Sequence, residues 1–208
     1  MQIIEFFPQG FSANCYALVE GEDIALIDVG TATTEIIDFV KENSNNLKYI
    51  LLTHDHFDHI GGVEEVLKHC SAKVCIHKND VSGLIDSTFS LCNMAGVRQP
   101  SVAPDITLNG GEELPFGNTK IKVIHTPGHT DGCVCYLVDD ILFSGDTLFF
   151  ESVGRTDFIT GDSMQLQNSL KKIIALKGVS KVYTGHGEPT TLEHERKYNF
   201  FINYENIY

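Results

Sequence analysis

Residues 53–59 read Thr53-His54-Asp55-His56-Phe57-Asp58-His59, directly after the apolar run Tyr49-Ile50-Leu51-Leu52. Three imidazoles and two carboxylates crowd into seven residues beside a hydrophobic strand. Such groups rarely gather without a ligand, and histidine with carboxylate is a metal-binding chemistry. His54, His56 and Asp58 alternate at period two, so in extended chain they project to one side. His59 follows at the expected entry to a helix near Gly61. A strand that delivers these side chains into the loop at its C-terminal end builds one wall of a metal site.

Three other strand ends offer matching donors. Ile124-His125-Thr126-Pro127-Gly128-His129-Thr130 breaks at Pro-Gly and presents His129. Phe143-Ser144-Gly145-Asp146-Thr147 ends in glycine and an aspartate, and Tyr183-Thr184-Gly185-His186-Gly187 holds a histidine between two glycines. Glycine permits the tight turns that aim each side chain back over the sheet edge. His54, His56 and His129 can take one ion; Asp58, His59 and His186 can take a second, with Asp146 bridging. Zinc is the first expectation for these two divalent ions, and iron or manganese also suit the donors. Paired ions ~3.5–4 Å apart can share one hydroxide at neutral pH. His125 reads as a histidine supporting the ligands, and His69, His77 and His194 as surface or filler residues.

Around these motifs the chain alternates between strand and helix patterns. Gln2–Phe7, Tyr16–Val19 and Ile24–Val29 read as strands, with Gly21-Glu22-Asp23 as hairpin chemistry. A helix follows with Ile36, Ile37, Phe39 and Val40, capped by Thr33 or Thr34. After the histidine loop come a helix carrying Val63, Val66 and Leu67 and a strand over Val74–Ile76. Residues 79–104 lack a clear period. Glu112–Phe116, Lys120–Ile124, Val134–Val138, Ile141–Phe143 and Lys181–Tyr183 read as further strands. Met164–Leu176 is an amphipathic helix capped by Asp162 or Ser163, and a closing helix starts near Leu192. Two blocks of strands followed by helices, with no proline- or serine-rich linker, form an α/β architecture of sheet against sheet with helices outside.

Composition narrows the function. The 208 residues are 42% hydrophobic, enough for a real core, and carry a net charge of −13, which argues against a nucleic-acid partner. No stretch approaches the ~20 apolar residues that cross a bilayer, and the N-terminus lacks a basic, apolar leader, so a cytoplasmic protein without a membrane partner is expected. The six cysteines are expected to be free thiols, with Cys133 and Cys135 as small core residues.

The ordered set His54-x-His56-x-Asp58-His59, His129, Asp146 and His186 resembles the metallo-β-lactamase superfamily, over nearly the whole chain. That resemblance implies a four-layer αβ/βα sandwich with the metal site along the rim between its sheets. The runs Gly145 to Asp157 and Gly185 to Thr191 are similar to the short bacterial glyoxalase II-like group, related to hydroxyacylglutathione hydrolase. They imply a single domain over residues 1–208, without the C-terminal helical region that holds glutathione in longer glyoxalase II enzymes. The implied activity is hydrolysis of a thioester or related activated acyl compound, a small molecule, by a metal-bridging hydroxide. Asp58 is then both ligand and catalytic residue, orienting the hydroxide and accepting its proton. Arg155 is a candidate grip for a substrate carboxylate, with pairing to Asp157 as the competing role. The alternative is a mononuclear-iron persulfide dioxygenase, which the chain also resembles around Gly154-Arg155-Thr156-Asp157-Phe158. The presence of Asp58, His59 and His186 favours two ions.

Overall fold

Alternating apolar residues drive the N-terminal half into one sheet. In the computed structural model, which describes residues 1–8 and 10–203, β1 (Gln2–Phe6), β2 (Cys15–Glu20) and β3 (Asp23–Ile27) form an antiparallel meander. Gly21, at φ +61°, makes the turn between β2 and β3. Helix α1 (Thr34–Glu42) begins where the Thr33 side chain accepts a hydrogen bond from the Ile36 amide, and carries the chain to β4 (Leu47–Leu51). Short helices α2 (Phe57–Ile60) and α3 (Val63–Val66) lead to β5 (Lys73–His77). A 3-10 helix over Lys78–Leu84 and α4 (Cys92–Ala95) lie in the stretch without sequence period, followed by β6 (Ile106–Leu108). Strands β3 to β6 run parallel, because each is joined to the next by a crossover.

The second sheet takes β7 (Glu113–Phe116), β8 (Thr119–His125), β9 (Val134–Val138) and β10 (Ile141–Gly145) as an antiparallel run. Pro115 is tolerated in β7 because that strand is the sheet's edge. A small hairpin, β11 (Leu148–Phe149) and β12 (Ser152–Val153), precedes α5 (Ser163–Ile174), whose first turn is capped by Asp162 accepting from the Gln165 amide. Strand β13 (Lys181–Thr184) then pairs parallel with β10, and α6 (Leu192–Tyr198) and α7 (Phe200–Asn203) follow. The closing helix expected from Leu192 is thus found as two short ones; any continuation past Asn203 lies outside the described residues.

Three apolar clusters define four layers. Ala17, Leu26, Ile50 and Val74 face α1 and α3 through Ile36, Val40, Val63 and Val66. The opposite face of the same strands, with Leu18, Ile27 and Leu51, meets Phe116, Ile121, Val134 and Phe143 of the second sheet. Leu142 and Val182 on its outer face cover Leu166, Leu170 and Ile173 of α5. The expected αβ/βα sandwich is therefore present. Two tyrosines bolt the sheets together: Tyr136 donates to the Leu52 carbonyl and Tyr16 to the Thr184 carbonyl, each at 2.7 Å. All six cysteines are free, and Cys133 and Cys135 are buried, as expected of core residues. No helix among the described residues is long and apolar enough to cross a membrane.

Candidate metal centre

The ends of β4, β8, β10 and β13 open onto one rim of the sandwich. Here His54, His56, Asp58, His59, His129, Asp146 and His186 come together in three overlapping groups that could hold metal ions. Nε2 of His54 and Nε2 of His129 approach Nδ1 of His56 at 3.1 and 3.0 Å. On the other side, His186 Nε2 lies 3.2 Å from Asp58 Oδ2. Asp146 stands between: Oδ1 is 3.3 Å from His59 Nε2, while Oδ2 is 3.5 Å from His129 Nε2 and 3.7 Å from His186 Nε2.

One local expectation needs correction. The extended, period-two reading carried His54, His56 and Asp58 to one side and began the helix near Gly61. The helical turn instead starts at Phe57, with His56 as its N-cap. Asp58 therefore turns away from the first two histidines and joins His59 and His186, the grouping expected for the second ion. The intervening Asp55 points the other way, into a buried niche against Gly83, where a Cβ would come within 2.0 Å of its carboxylate. Its carboxyl is raised well above the ordinary range by burial and by the nearby Asp80, itself pushed up to about 7 mainly by burial.

Outer hydrogen bonds fix which ring nitrogen faces inward. His59 donates from Nδ1 to Asp28 Oδ2 at 2.8 Å, and His129 from Nδ1 to the Arg155 carbonyl at 2.7 Å. Thr53 donates its hydroxyl to Asp28 at 2.7 Å, which leaves its oxygen to accept from His54 Nδ1 at 3.1 Å. The inward nitrogens of His54 and His129 are then lone-pair acceptors, and His56 Nδ1 carries at most one proton to share between them. His59 Nε2 and Asp146 Oδ1 are buried without a hydrogen-bond partner. Converging lone pairs and orphaned buried atoms are what a cation would satisfy, so these residues fit metal ions.

Electrostatics agree with that fit. Burial and the neighbouring imidazoles push His54 well down, and burial with His129 brings His56 to about 3, so both stay neutral donors at neutral pH. Burial opposes the charge on Asp146 and Asp58. The adjoining His59 outweighs it at Asp146, and at Asp58 the hydrogen bond from His186 together with the nearby His59 outweighs it, so both remain carboxylates. Burial likewise works against a charge on His59, but Asp28 and Asp146 pull its affinity for positive charge upward.

Asp28 is the functional residue that motif reading missed. It directly follows β3, beside Val29-Gly30, with a backbone φ of +51°, and accepts from the Thr53 amide as well as from Thr53 and His59 side chains. The signal was present: Ile27-Asp28-Val29-Gly30 is another carboxylate and glycine at a strand end. Replacing it, Asp28→Asn, keeps the shape and removes the charge orienting His59. Metal affinity is expected to fall by about 10–100-fold, read by competition with a chromophoric chelator. Gly185 is equally committed, because a Cβ there would lie 2.2 Å from Asp146 Oδ1 and 2.9 Å from the Gly145 carbonyl carbon. Gly185→Ala is expected to lower metal content and melting temperature together.

The remaining histidines are not ligands of this cluster. His125 donates from Nε2 to the Asp131 carbonyl at 3.0 Å and stacks on His77 at 4.0 Å. His77 is 1% exposed, so it is a buried inter-sheet residue and not a surface one. Arg155 borders the cleft, but its guanidinium grips Asp157 through two 2.6 Å hydrogen bonds and lies 4.2 Å from the Phe158 ring centre.

The sequence profile of the family described as the Metallo-beta-lactamase superfamily matches residues 8–186. Among relatives, the probable metallo-hydrolase YqgX of Bacillus subtilis (strain 168) is 34% identical over 195 residues, spanning 92% of each chain. The hydroxyacylglutathione hydrolase GloC of Haemophilus influenzae (strain ATCC 51907 / DSM 11121 / KW20 / Rd) is 31% identical over 96% of this chain and 98% of its own. Among solved structures, BLEG-1 B3 metallo-beta-lactamase superposes with a TM-score of 0.88 at 33% identity, covering 97% of this chain and 99% of that one. TTHA1623 in a di-iron-bound form gives 0.83 at 31% identity, covering 97% and 100%.

Proposed function

The chain belongs to the metallo-beta-lactamase superfamily of metal-dependent hydrolases, and from that premise we propose that it hydrolyses a thioester or related activated acyl compound with two divalent metal ions. The observation that carries this reading is the convergence of seven donors into two triads that share Asp146 as neighbour. His54, His56 and His129 would hold one ion, and Asp58, His59 and His186 the other. When bound, such ions bring the pKa of water to about 7 and polarise a carbonyl oxygen. The donor set suits zinc, iron or manganese. A di-iron form of TTHA1623 supports iron, and zinc remains our first choice on the donor chemistry.

Around that chemistry the chain supplies orientation and proton handling. Asp58, an ionised carboxylate at the edge of the cleft, is placed to accept the proton released as a nucleophilic water attacks the acyl carbon. Asp28 and the Arg155 carbonyl keep His59 and His129 aimed inward. A thiol, with an ordinary pKa of about 8.5, departs as its anion without a strong general acid, so no further acid is required. The name of GloC, a hydroxyacylglutathione hydrolase, supports a thioester as the acyl class.

A panel of thioesters, lactones and persulfides, run on metal-loaded protein, tests this. Release of free thiol from thioesters, abolished by a chelator, is expected. Oxygen uptake with a persulfide, without thioester cleavage, would replace hydrolysis by the dioxygenase alternative.

A further inference from the structure

The cleft over the metal centre, of about 430 Å³, is lined on its non-ligand side mainly by apolar residues, among them Leu91, Met94, Phe149, Val153 and Phe158. Phe158 sits edge-on to His56 at 5.4 Å, and Phe149 faces His186 at 6.1 Å, so both ends of the donor cluster meet an aromatic ring. Arg155 is the one cation among the described residues lining this cleft, and its guanidinium is committed to Asp157.

Leu91 and Met94 come from the stretch without sequence period, yet their placement is fixed. Leu91 holds a left-handed backbone, φ +61° and ψ +10°, a conformation that a branched side chain rarely adopts. It is kept there by the Phe57 amide donating to the Ser90 carbonyl at 2.8 Å, and by Ser90 donating to the Gln99 side chain. The segment is thus tied directly to the histidine motif. Leu91 is 7% exposed, while Met94 is 63% exposed, a large apolar side chain left open at the cleft. Backbone strain and an exposed methionine beside a metal cluster mark a surface shaped for a ligand.

We propose, resting on the thioester reading above, that the substrate carries an uncharged, apolar acyl group, and that Leu91 and Met94 determine this selectivity. The reaction is hydrolysis without redox change: water oxygen bonds to the acyl carbon, the C–S bond breaks, sulfur leaves with the electron pair, and the products are a carboxylate, a thiol and a proton. Contact of the acyl chain with Leu91, Met94 and the aromatic rings provides the discrimination, since burying even one methylene in such a pocket is worth roughly tenfold or more.

The test uses the metal-loaded full chain and three thioesters of N-acetylcysteamine, a small neutral thiol, carrying acetyl, hexanoyl and succinyl groups. The hexanoyl ester is expected to exceed both others in kcat/KM by about tenfold or more. Met94→Gln and Leu91→Gly, each checked for unchanged metal content and fold, are expected to shrink the hexanoyl-to-acetyl ratio severalfold. Leu91→Gly relaxes the left-handed backbone, so loss of selectivity there cannot be laid to misfolding of that turn. A succinyl preference, or a ratio that neither variant moves, overturns the acyl assignment and leaves the thioesterase reading intact. Failure to cleave any of the three overturns both.

Discussion

Asp146→Ala is expected to lower kcat/KM by about a thousandfold or more, because metal-supplied stabilisation of several kcal/mol depends on both ions being held. Asp146 is the side chain whose two oxygens face the two triads, with His59 opposite Oδ1 and His129 and His186 opposite Oδ2. Its removal takes away the carboxylate that lies between the two triads. Asp146→Asn retains an oxygen donor without the charge and is expected to fall between alanine and the native residue. Kinetics and metal content should be measured on the same preparations. Normal turnover in a metal-depleted Asp146→Ala protein would contradict the two-ion arrangement.

Removing metal with a chelator is expected to lower the melting temperature by about 10 °C. A ligand at a thousand times its dissociation constant stabilises by about 4 kcal/mol, and a chain of this size moves roughly 2–4 °C per kcal/mol. The cause is local: His54 and His59 are fully buried and Asp146 nearly so, and without a cation their lone pairs face one another. Buried polar groups left without partners are among the costlier features a fold can carry. Thermal melts before chelation, after it, and after metal is restored would read this directly. A melting temperature indifferent to metal would mean that another set of contacts holds the rim together.

Much of this site was legible because its donors obey a simple local rule. His54, Asp146 and His186 each follow an apolar strand at a break, and glycine flanks the last two. A polar ligand at the end of a hydrophobic run is a strong pattern even without coordinates. The sandwich followed from the same alternation, since β1 to β5 and β7 to β10 show their faces in the sequence. What escaped notice had weaker local signals. Strands β6, β11 and β12 have two or three residues each, too few for a period to emerge. The period-two projection of Asp58 alongside His54 and His56 failed because a helical turn began four residues earlier than Gly61, although its grouping with His59 and His186 held. Asp28 and His77 owe their roles to partners 31 and 48 positions away, His59 and His125, which only tertiary packing supplies. The cleft wall at Leu91 and Met94 is of the same kind, being anchored through Ser90 and Gln99 and not through any periodic face.

Elemental analysis of purified, activity-matched protein bears most directly on whether two cations share these seven donors. Two ions per chain are expected in the native protein, and one after His186→Ala, which removes a donor from the second triad alone. A native stoichiometry of one with full hydrolytic turnover, or two ions retained tightly by His186→Ala, would contradict that arrangement.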